Sequence, residues 1–216
     1  MPSTLPQPAW ASLFDSATEI IQHAQAAIGF DFEWSLGGGT VLMFDFNHRQ
    51  SKDIDIFISD IQYLGFLNPR LQDYASVHCD DYEDMTQYIK LRNRFGDIDF
   101  IVASALTENP YTERGIRGVQ TLVQTPQEIV ARKLHHRGAH PNARDLLDLA
   151  IVASHEPNLT DLISPTIREH GEALLEQCLV RHALLEIEFN QLATIDCQMN
   201  FQECLDIVRQ VIKRAA

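Results

Sequence analysis

Apolar residues at helical spacing come first along the chain. Trp10, Leu13, Phe14, Ala17, Ile20, Ile21, Ala24 and Ile28 recur at steps of three and four, and Gly29 follows them. This pattern predicts a helix with one buried face and a glycine stop. The prolines within residues 1–8 predict a loose arm before it. The period then falls to two. Phe32–Leu36 alternates, as does Asp53–Ile58, where Ile54, Ile56 and Ile58 take the core face of a strand and Asp53 and Asp55 the other. Tyr88–Leu91 and Ile98–Val102 predict two strands joined as a hairpin by a turn over Arg92–Gly96, and Val119–Val123 one strand more. Between these, Ile61–Leu67 suits a helical turn, Asn68-Pro69-Arg70 the start of another short helix, Asp80–Asp84 a solvated acidic loop and residues 103–118 a loop.

Beyond this point the pattern is helical. Thr125-Pro126-Gln127-Glu128 has the form of a capping box with proline at the first helical position. The helix it opens carries Ile129, Val130, Lys133, Leu134 and Arg137 and stops at Gly138. Ala143–Ala153 forms a further helix, in which Arg144 and Asp148 stand at i,i+4 as partners and Asp145 shares roughly the Asp148 side. From Leu159 onward the chain is helical. Ile167–Asn190 is one long stretch, and Asn200 and Glu203 cap a last helix ending in Lys213-Arg214. The expected class is therefore α/β (α+β). Residues 1–29 form a helix packing on the core, 30–125 the core itself, and 126–216 a helical region.

Candidate chemistry concentrates between Gly37 and Phe57. Gly37-Gly38-Gly39-Thr40 ends the first strand, and Thr40 is placed to cap a helix through Val41–Phe44. Free N–H groups at a helix start behind glycines form an anion site. Asp53 and Asp55, at i and i+2, stand roughly 7 Å apart at their Cα atoms. At an effective dielectric near 20 their repulsion is about 2 kcal/mol, which a purely structural strand has little reason to keep. Divalent cations turn it into attraction, and carboxylate oxygens suit magnesium brought in with substrate phosphates. Asp97 and Asp99 share one face of a later strand. A third carboxylate is needed to bridge metals, and mid-strand Asp99 is better placed for it than Asp97, which follows the turn glycine and faces solvent. Lys133 lies on the buried flank of its helix, as either a snorkelling lysine or a phosphate ligand. His135, His136 and His140 are separated by Gly138, and Pro141 follows, so a metal site built from these three is not expected.

Charge narrows the partners. A net charge of −13 over 216 residues argues against a broad nucleic-acid-binding face, while leaving room for a small basic groove or a cationic acceptor. The four cysteines, Cys79, Cys178, Cys197 and Cys204, form no Cys-x-x-Cys pair, and the last three are expected as reduced, buried thiols in helical sequence. The N-terminus lacks the basic start and apolar core of a signal peptide, and no apolar run spans a bilayer, so a cytoplasmic location with no membrane contact is expected.

The stretch Leu36-Gly37-Gly38-Gly39-Thr40 followed by His48-Arg49, Ser51 and Asp53-Ile54-Asp55-Ile56-Phe57 resembles the first motif of polymerase-β-like nucleotidyltransferases, and specifically the AbiEii/AbiGii toxin family. Lys133-Leu134 and Arg144-Asp145-Leu146-Leu147-Asp148-Leu149 are similar to that family's later signature. The resemblance covers roughly residues 30–153. It implies a polymerase-β-like core with a mixed, largely antiparallel sheet and a helical C-terminal part. It implies nucleotide transfer from a nucleoside triphosphate to an acceptor, RNA and above all transfer RNA, by the toxin of a type IV toxin–antitoxin or abortive-infection pair. Two Mg²⁺ ions fall to Asp53, Asp55 and Asp99, and the triphosphate to Gly38, Gly39 and Thr40 with Arg49 or Ser51 assisting. Lys133 contacts the nucleotide, and Asp145 belongs to the same pocket. Arg92, Arg94, Arg114, Arg117, Arg132 and Arg137 fall in the stretch where an acceptor approaches. An antibiotic nucleotidyltransferase and a catalytically silent nucleotide-binding module are the alternatives. The base, the acceptor, the existence of an antitoxin and the oligomeric state are not legible in the sequence.

Overall fold

The first helix, α1 (Ala9–Ile28), forms where its apolar spacing predicts, and Gly29 ends it in the left-handed conformation, φ +91°. The computed structural model describes residues 8–215. The arm expected over residues 1–8 lies, Pro8 apart, outside the described residues. Next come β1 (Trp34–Gly37), α2 (Gly38–Phe46) and β2 (Ile54–Ile58). A 3-10 turn, Ile61–Tyr63, runs into α3 (Leu64–Leu67), and α4 (Asp73–Ser76) begins later than the helix expected at Asn68. The Asn68 carboxamide instead accepts from the Arg70 amide, holding a turn there.

β3 (Asp81–Asp84), β4 (Tyr88–Asn93) and β5 (Gly96–Val102) follow. The acidic stretch expected as a loop is thus a strand. Its side chains are largely exposed, but its backbone pairs antiparallel with β4, and Arg92 of β4 neutralises it through Asp81 and Glu83. A second strand, β6 (Tyr111–Ile116), forms in the stretch expected to be loop and turns through Gly118 into β7 (Val119–Gln124). Neither strand alternates apolar with polar residues, so periodicity alone does not reveal them.

The seven strands form one mixed sheet of order β3-β4-β5-β2-β1-β7-β6. β3–β4, β4–β5 and β1–β2 are antiparallel, and β2–β5 and β1–β7 are parallel. Ile54, Ile56 and Ile58 are buried on one face together with Ile98 and Phe100 of β5, and α1 packs on β2 and β5.

The helical part comprises α5 (Pro126–Arg137), α6 (Ala143–His155), α7 (Leu159–Leu162), α8 (Ser164–Val180), α9 (His182–Asn190) and α10 (Phe201–Ala215). The long helix expected over Ile167–Asn190 is two helices, broken at Arg181. Asn200 and Glu203 form the reciprocal cap expected before α10. The motif before α5 behaves differently. Thr125 makes no side-chain cap, and its hydroxyl donates to the Asn109 carbonyl. Glu128, fully buried, turns away to accept from the Leu106 and Thr107 amides and to pair with Arg132. α6 is buried almost all round and packs against α5, α9 and α10. Of the thiols, Cys178 and Cys204 are buried, and Cys197 is half-buried in the loop before α10 rather than in a helix. All four cysteines are unbridged.

Contacts divide the chain into two compact units. One runs to Thr40 and takes in Ser51–Ser104 and Thr112–Val123, which is most of the sheet. The other comprises Val41–Gln50, Ala105–Tyr111 and the chain from Gln124 onward.

Candidate active site

In the sheet unit the registers set charged residues in rows. Asp55 of β2 pairs with Gly37 of β1 on one side and with Asp99 of β5 on the other, and Asp99 pairs with Lys90 of β4. Lys90, Asp99, Asp55 and Gly37 thus form one line across four strands. Two residues back, Arg92 faces Asp97, and the Asp97 amide donates to Asp53 Oδ1 at 3.2 Å. All four aspartates therefore converge on one side of the sheet, opposite the isoleucines, as the period of two requires. Asp97 is half-buried and bonded to Lys90 rather than turned to solvent.

Neighbouring strands lie about 4.8 Å apart, so Asp55 and Asp99 repel more strongly than Asp53 and Asp55 do along one strand. Part of this is offset by Lys90, whose Nζ stands 2.7 Å from Asp99 Oδ2 and 3.4 Å from Asp97 Oδ2. Burial pushes the Asp99 carboxyl above its usual range, and Asp97 and Asp53 add to this against the pull of Lys90. Burial also works against the charge on Lys90, but its pairing with Asp99 and Asp97 prevails and raises its pKa. Asp99 Oδ1 is buried with no hydrogen-bond partner among the described residues.

The glycine turn fits against this row. α2 starts at Gly38, three residues earlier than a cap at Thr40 allows. Gly38 has φ +72°, and a Cβ there would stand 1.8 Å from Asp55 Oδ2. Only glycine lets the helix start abut the carboxylate. Thr40, fully buried in the first turn, donates its hydroxyl to the Asp53 carbonyl at 2.6 Å and lies 2.9 Å from Ser51 Oγ. Its visible task is to hold the backbone under Asp53. A set of hard oxygen donors with one orphaned buried oxygen suits a small divalent cation such as Mg²⁺. Asp53, Asp55 and Asp99 would hold it.

The helical unit holds a second charged group, centred on fully buried Asp148. Arg49 grips it with two bonds of 2.7 Å, His48 Nε2 donates to Oδ1 at 2.7 Å, and Lys133 Nζ lies 3.0 Å from Oδ2. Lys133 also reaches Asp145 Oδ1 at 3.0 Å, and Arg137 meets that same oxygen at 3.0 Å. Asp148 thus takes these three partners in place of the expected Arg144, which is exposed. Asp145 is fixed by a capping box with Asn142 at the start of α6. Arg49, Lys133 and Arg137 outnumber Asp145 and Asp148, leaving a positive surplus in an acidic chain.

The candidate residues accordingly fall into two sets. Gly38, Gly39, Thr40, Ser51, Asp53, Asp55 and Asp99 belong to the sheet unit, and Arg49, Lys133 and Asp145 to the helical unit. From the sequence Lys90 has no assigned role, and His48 figures only in the family-like motif. The predicted Arg92–Gly96 turn sets Lys90 opposite Ile98; the hairpin instead pairs Asn93 with Gly96, and this shift of one residue brings Lys90 opposite Asp99. Nothing local links His48 with Asp148, a hundred residues away. Among the arginines expected at an acceptor surface, Arg132 is buried on Glu128, Arg92 is paired with Asp81 and Glu83, and Arg117 with Asp15.

The mixed sheet with its glycine-led helix is the polymerase-β-like nucleotidyltransferase fold. The chain belongs to the AbiEii family, described as nucleotidyl transferase AbiEii toxin of the type IV toxin–antitoxin system, which it matches over residues 24–206. No curated protein matches it. Among solved structures, the antibiotic-resistance factor ANT(2'')-Ia aligns at TM-score 0.51 and 12% identity, covering 81% of this chain and 98% of that one. JHP933 from Helicobacter pylori aligns at TM-score 0.47 and 18% identity, covering 98% of this chain and 95% of that one. Among the described residues no helix is long and apolar enough to cross a membrane.

Proposed function

We propose that the protein transfers a nucleotidyl group from a nucleoside triphosphate to an RNA acceptor, above all transfer RNA, as the toxin of a type IV toxin–antitoxin pair. The observation that carries the chemistry is the in-register Asp55–Asp99 pair, with Gly38 pressed against it and Asp99 Oδ1 unpartnered among the described residues. Two Mg²⁺ ions on Asp53, Asp55 and Asp99 would neutralise the triphosphate and lower the pKa of the attacking hydroxyl. The amides of Gly38 and Gly39 at the start of α2 bind phosphate oxygens. Thr40 and Ser51 keep Asp53 in place. Asp99 takes the acceptor's proton as the hydroxyl oxygen bonds to the α-phosphorus and pyrophosphate leaves. Lys133, with Arg49 and Asp145 fixing the charged group around it, meets developing charge on phosphate oxygens.

A second reading is favoured by one observation. The chain carries a net charge of −13, and several of the arginines expected to meet RNA are already ion-paired. A cationic antibiotic of the aminoglycoside class suits such a surface better than a polyanion does. One experiment separates the two. The protein is incubated with Mg²⁺, each labelled nucleoside triphosphate and total RNA, in parallel with aminoglycosides and lincosamides. Label on RNA supports the toxin reading. Label on the drug alone overturns it in favour of an antibiotic acceptor. Label on neither, with nucleotide bound, points to a silent module.

A further inference from the structure

His135 has a partner outside its own segment. The last turn of α5 brings its Nδ1 to 2.9 Å from Nε2 of His170 on α8. The two rings stand nearly perpendicular with centroids 4.8 Å apart. Glu169 Oε1 lies 3.6 Å from the same His170 nitrogen, and all three ligand atoms fall within 4.8 Å of one another. We propose that His135, His170 and Glu169 form a binding site for a divalent cation of the zinc class, clamping α5 to α8.

The helix packing holds the two imidazoles at this spacing. Gly138 caps α5 with an ordinary φ of −55°, yet a Cβ there would lie 3.2 Å from both the Cβ and the carbonyl oxygen of His170. The glycine serves close approach rather than a turn, and it draws α8 against the end of α5. The His135–His170 bond needs one N–H and one lone pair, so at least one ring is neutral and already aims a lone pair at the common point. A third imidazole, His136, stacks edge-on against His135 with centroids 4.8 Å apart.

Two imidazoles and a carboxylate match zinc, cobalt or nickel and not magnesium, so the donor set differs from the all-oxygen aspartate row. Zinc–nitrogen bonds of about 2.0–2.1 Å at a tetrahedral angle put the two nitrogens roughly 3.4 Å apart. To reach this the part-exposed rings spread by about half an ångström and turn their lone pairs from each other toward the metal. Glu169, largely exposed, swings in as third ligand and water takes the fourth position. Binding replaces the shared proton, which goes to solvent.

The test is titration of the whole protein with Zn²⁺ in excess Mg²⁺, which occupies hard-oxygen sites, followed by calorimetry and thermal melting. One Zn²⁺ per chain binds with micromolar or tighter affinity and raises the melting temperature. Glu169→Gln and His135→Asn, both at exposed positions that put folding at little risk, weaken binding at least tenfold and remove the thermal shift. The Co²⁺ complex shows ligand-field bands without thiolate charge transfer. No saturable Zn²⁺ binding, unchanged affinity in both variants, or a thiolate band assigning the metal to Cys79 or Cys197, each overturns the proposal.

Discussion

Replacing Asp148 by Asn tests how much the helical unit depends on one buried charge. Asn matches Asp in shape but removes the charge, and it puts an N–H₂ group where an oxygen faced a cation. Arg49 and Lys133, with side chains 5% and 12% exposed, then lose their shared counter-ion. Removing one partner of a buried pair costs about 3–5 kcal/mol, because the surviving charge is stranded. A chain of this size shifts its melting temperature by about 2–4 °C per kcal/mol, so thermal melting followed by circular dichroism should fall by roughly 6–20 °C. The pH dependence gives a second reading. Burial pushes the Asp148 carboxyl up, but the charge of Lys133, the bond from His48 and the grip of Arg49 together hold it well below its usual value. The unfolded chain has an ordinary aspartate near pKa 3.9. Stability from this group is therefore complete above about pH 5 and is lost as pH falls toward the lower folded value. Wild-type protein should lose stability more steeply than Asp148→Asn over that acid range. A loss under about 1 kcal/mol, with parallel pH profiles, would refute the account, since it matches an exposed pair instead.

Asp53→Asn or Asp55→Asn should abolish nucleotide transfer while leaving the melting temperature unchanged or slightly higher, because each removes repulsion from the aspartate row; a clear drop in stability assigns the pair a structural role. Gly38→Ala forces a left-handed alanine, costing about 1–2 kcal/mol, and drives Asp55 from its place. It should lose more than tenfold in transfer rate together with a few degrees of melting temperature, and full activity would show that Asp55 need not stand where the structure has it. Mg²⁺ with a nucleoside triphosphate at about 100 times its dissociation constant should stabilise the protein by about 2.7 kcal/mol, and less in Lys133→Ala. Equal shifts in the two proteins would remove Lys133 from the nucleotide site.

The strands that carry the aspartates were legible because their other face is buried. Ile54, Ile56 and Ile58 alternate with Asp55 and Phe57, and one period fixes both core and candidate site. β3 and β6 were not legible, because edge strands in contact with water need no apolar period, and their polar side chains suit a loop equally well. Thr125 and Glu128 mimicked a cap. The same residue types gain more from a neighbouring loop whose amides at Leu106 and Thr107 would otherwise go unpaired. Asp148 was paired with Arg144 because the helix period shows only local partners. The Arg49 that takes it comes from before β2, a separation at which sequence carries no geometric signal.

The two groups of aspartates illustrate opposite electrostatic solutions, and the contrast bears on which residues to assign to chemistry. Asp148 is surrounded by more positive charge than it needs, hydrogen-bonded on both oxygens, and held ionised. Nothing remains for it to bind, so its direct contribution is to fix Arg49 and Lys133 in place. Asp99 is the reverse. It sits beside three other aspartates with Lys90 for relief, its carboxyl is pushed up, and one oxygen lacks a partner among the described residues. A fold gains nothing from that arrangement on its own. The deficit is removed when positive charge arrives with a substrate, which is why the aspartate row, and not the better-satisfied Asp148, is where a cation should bind.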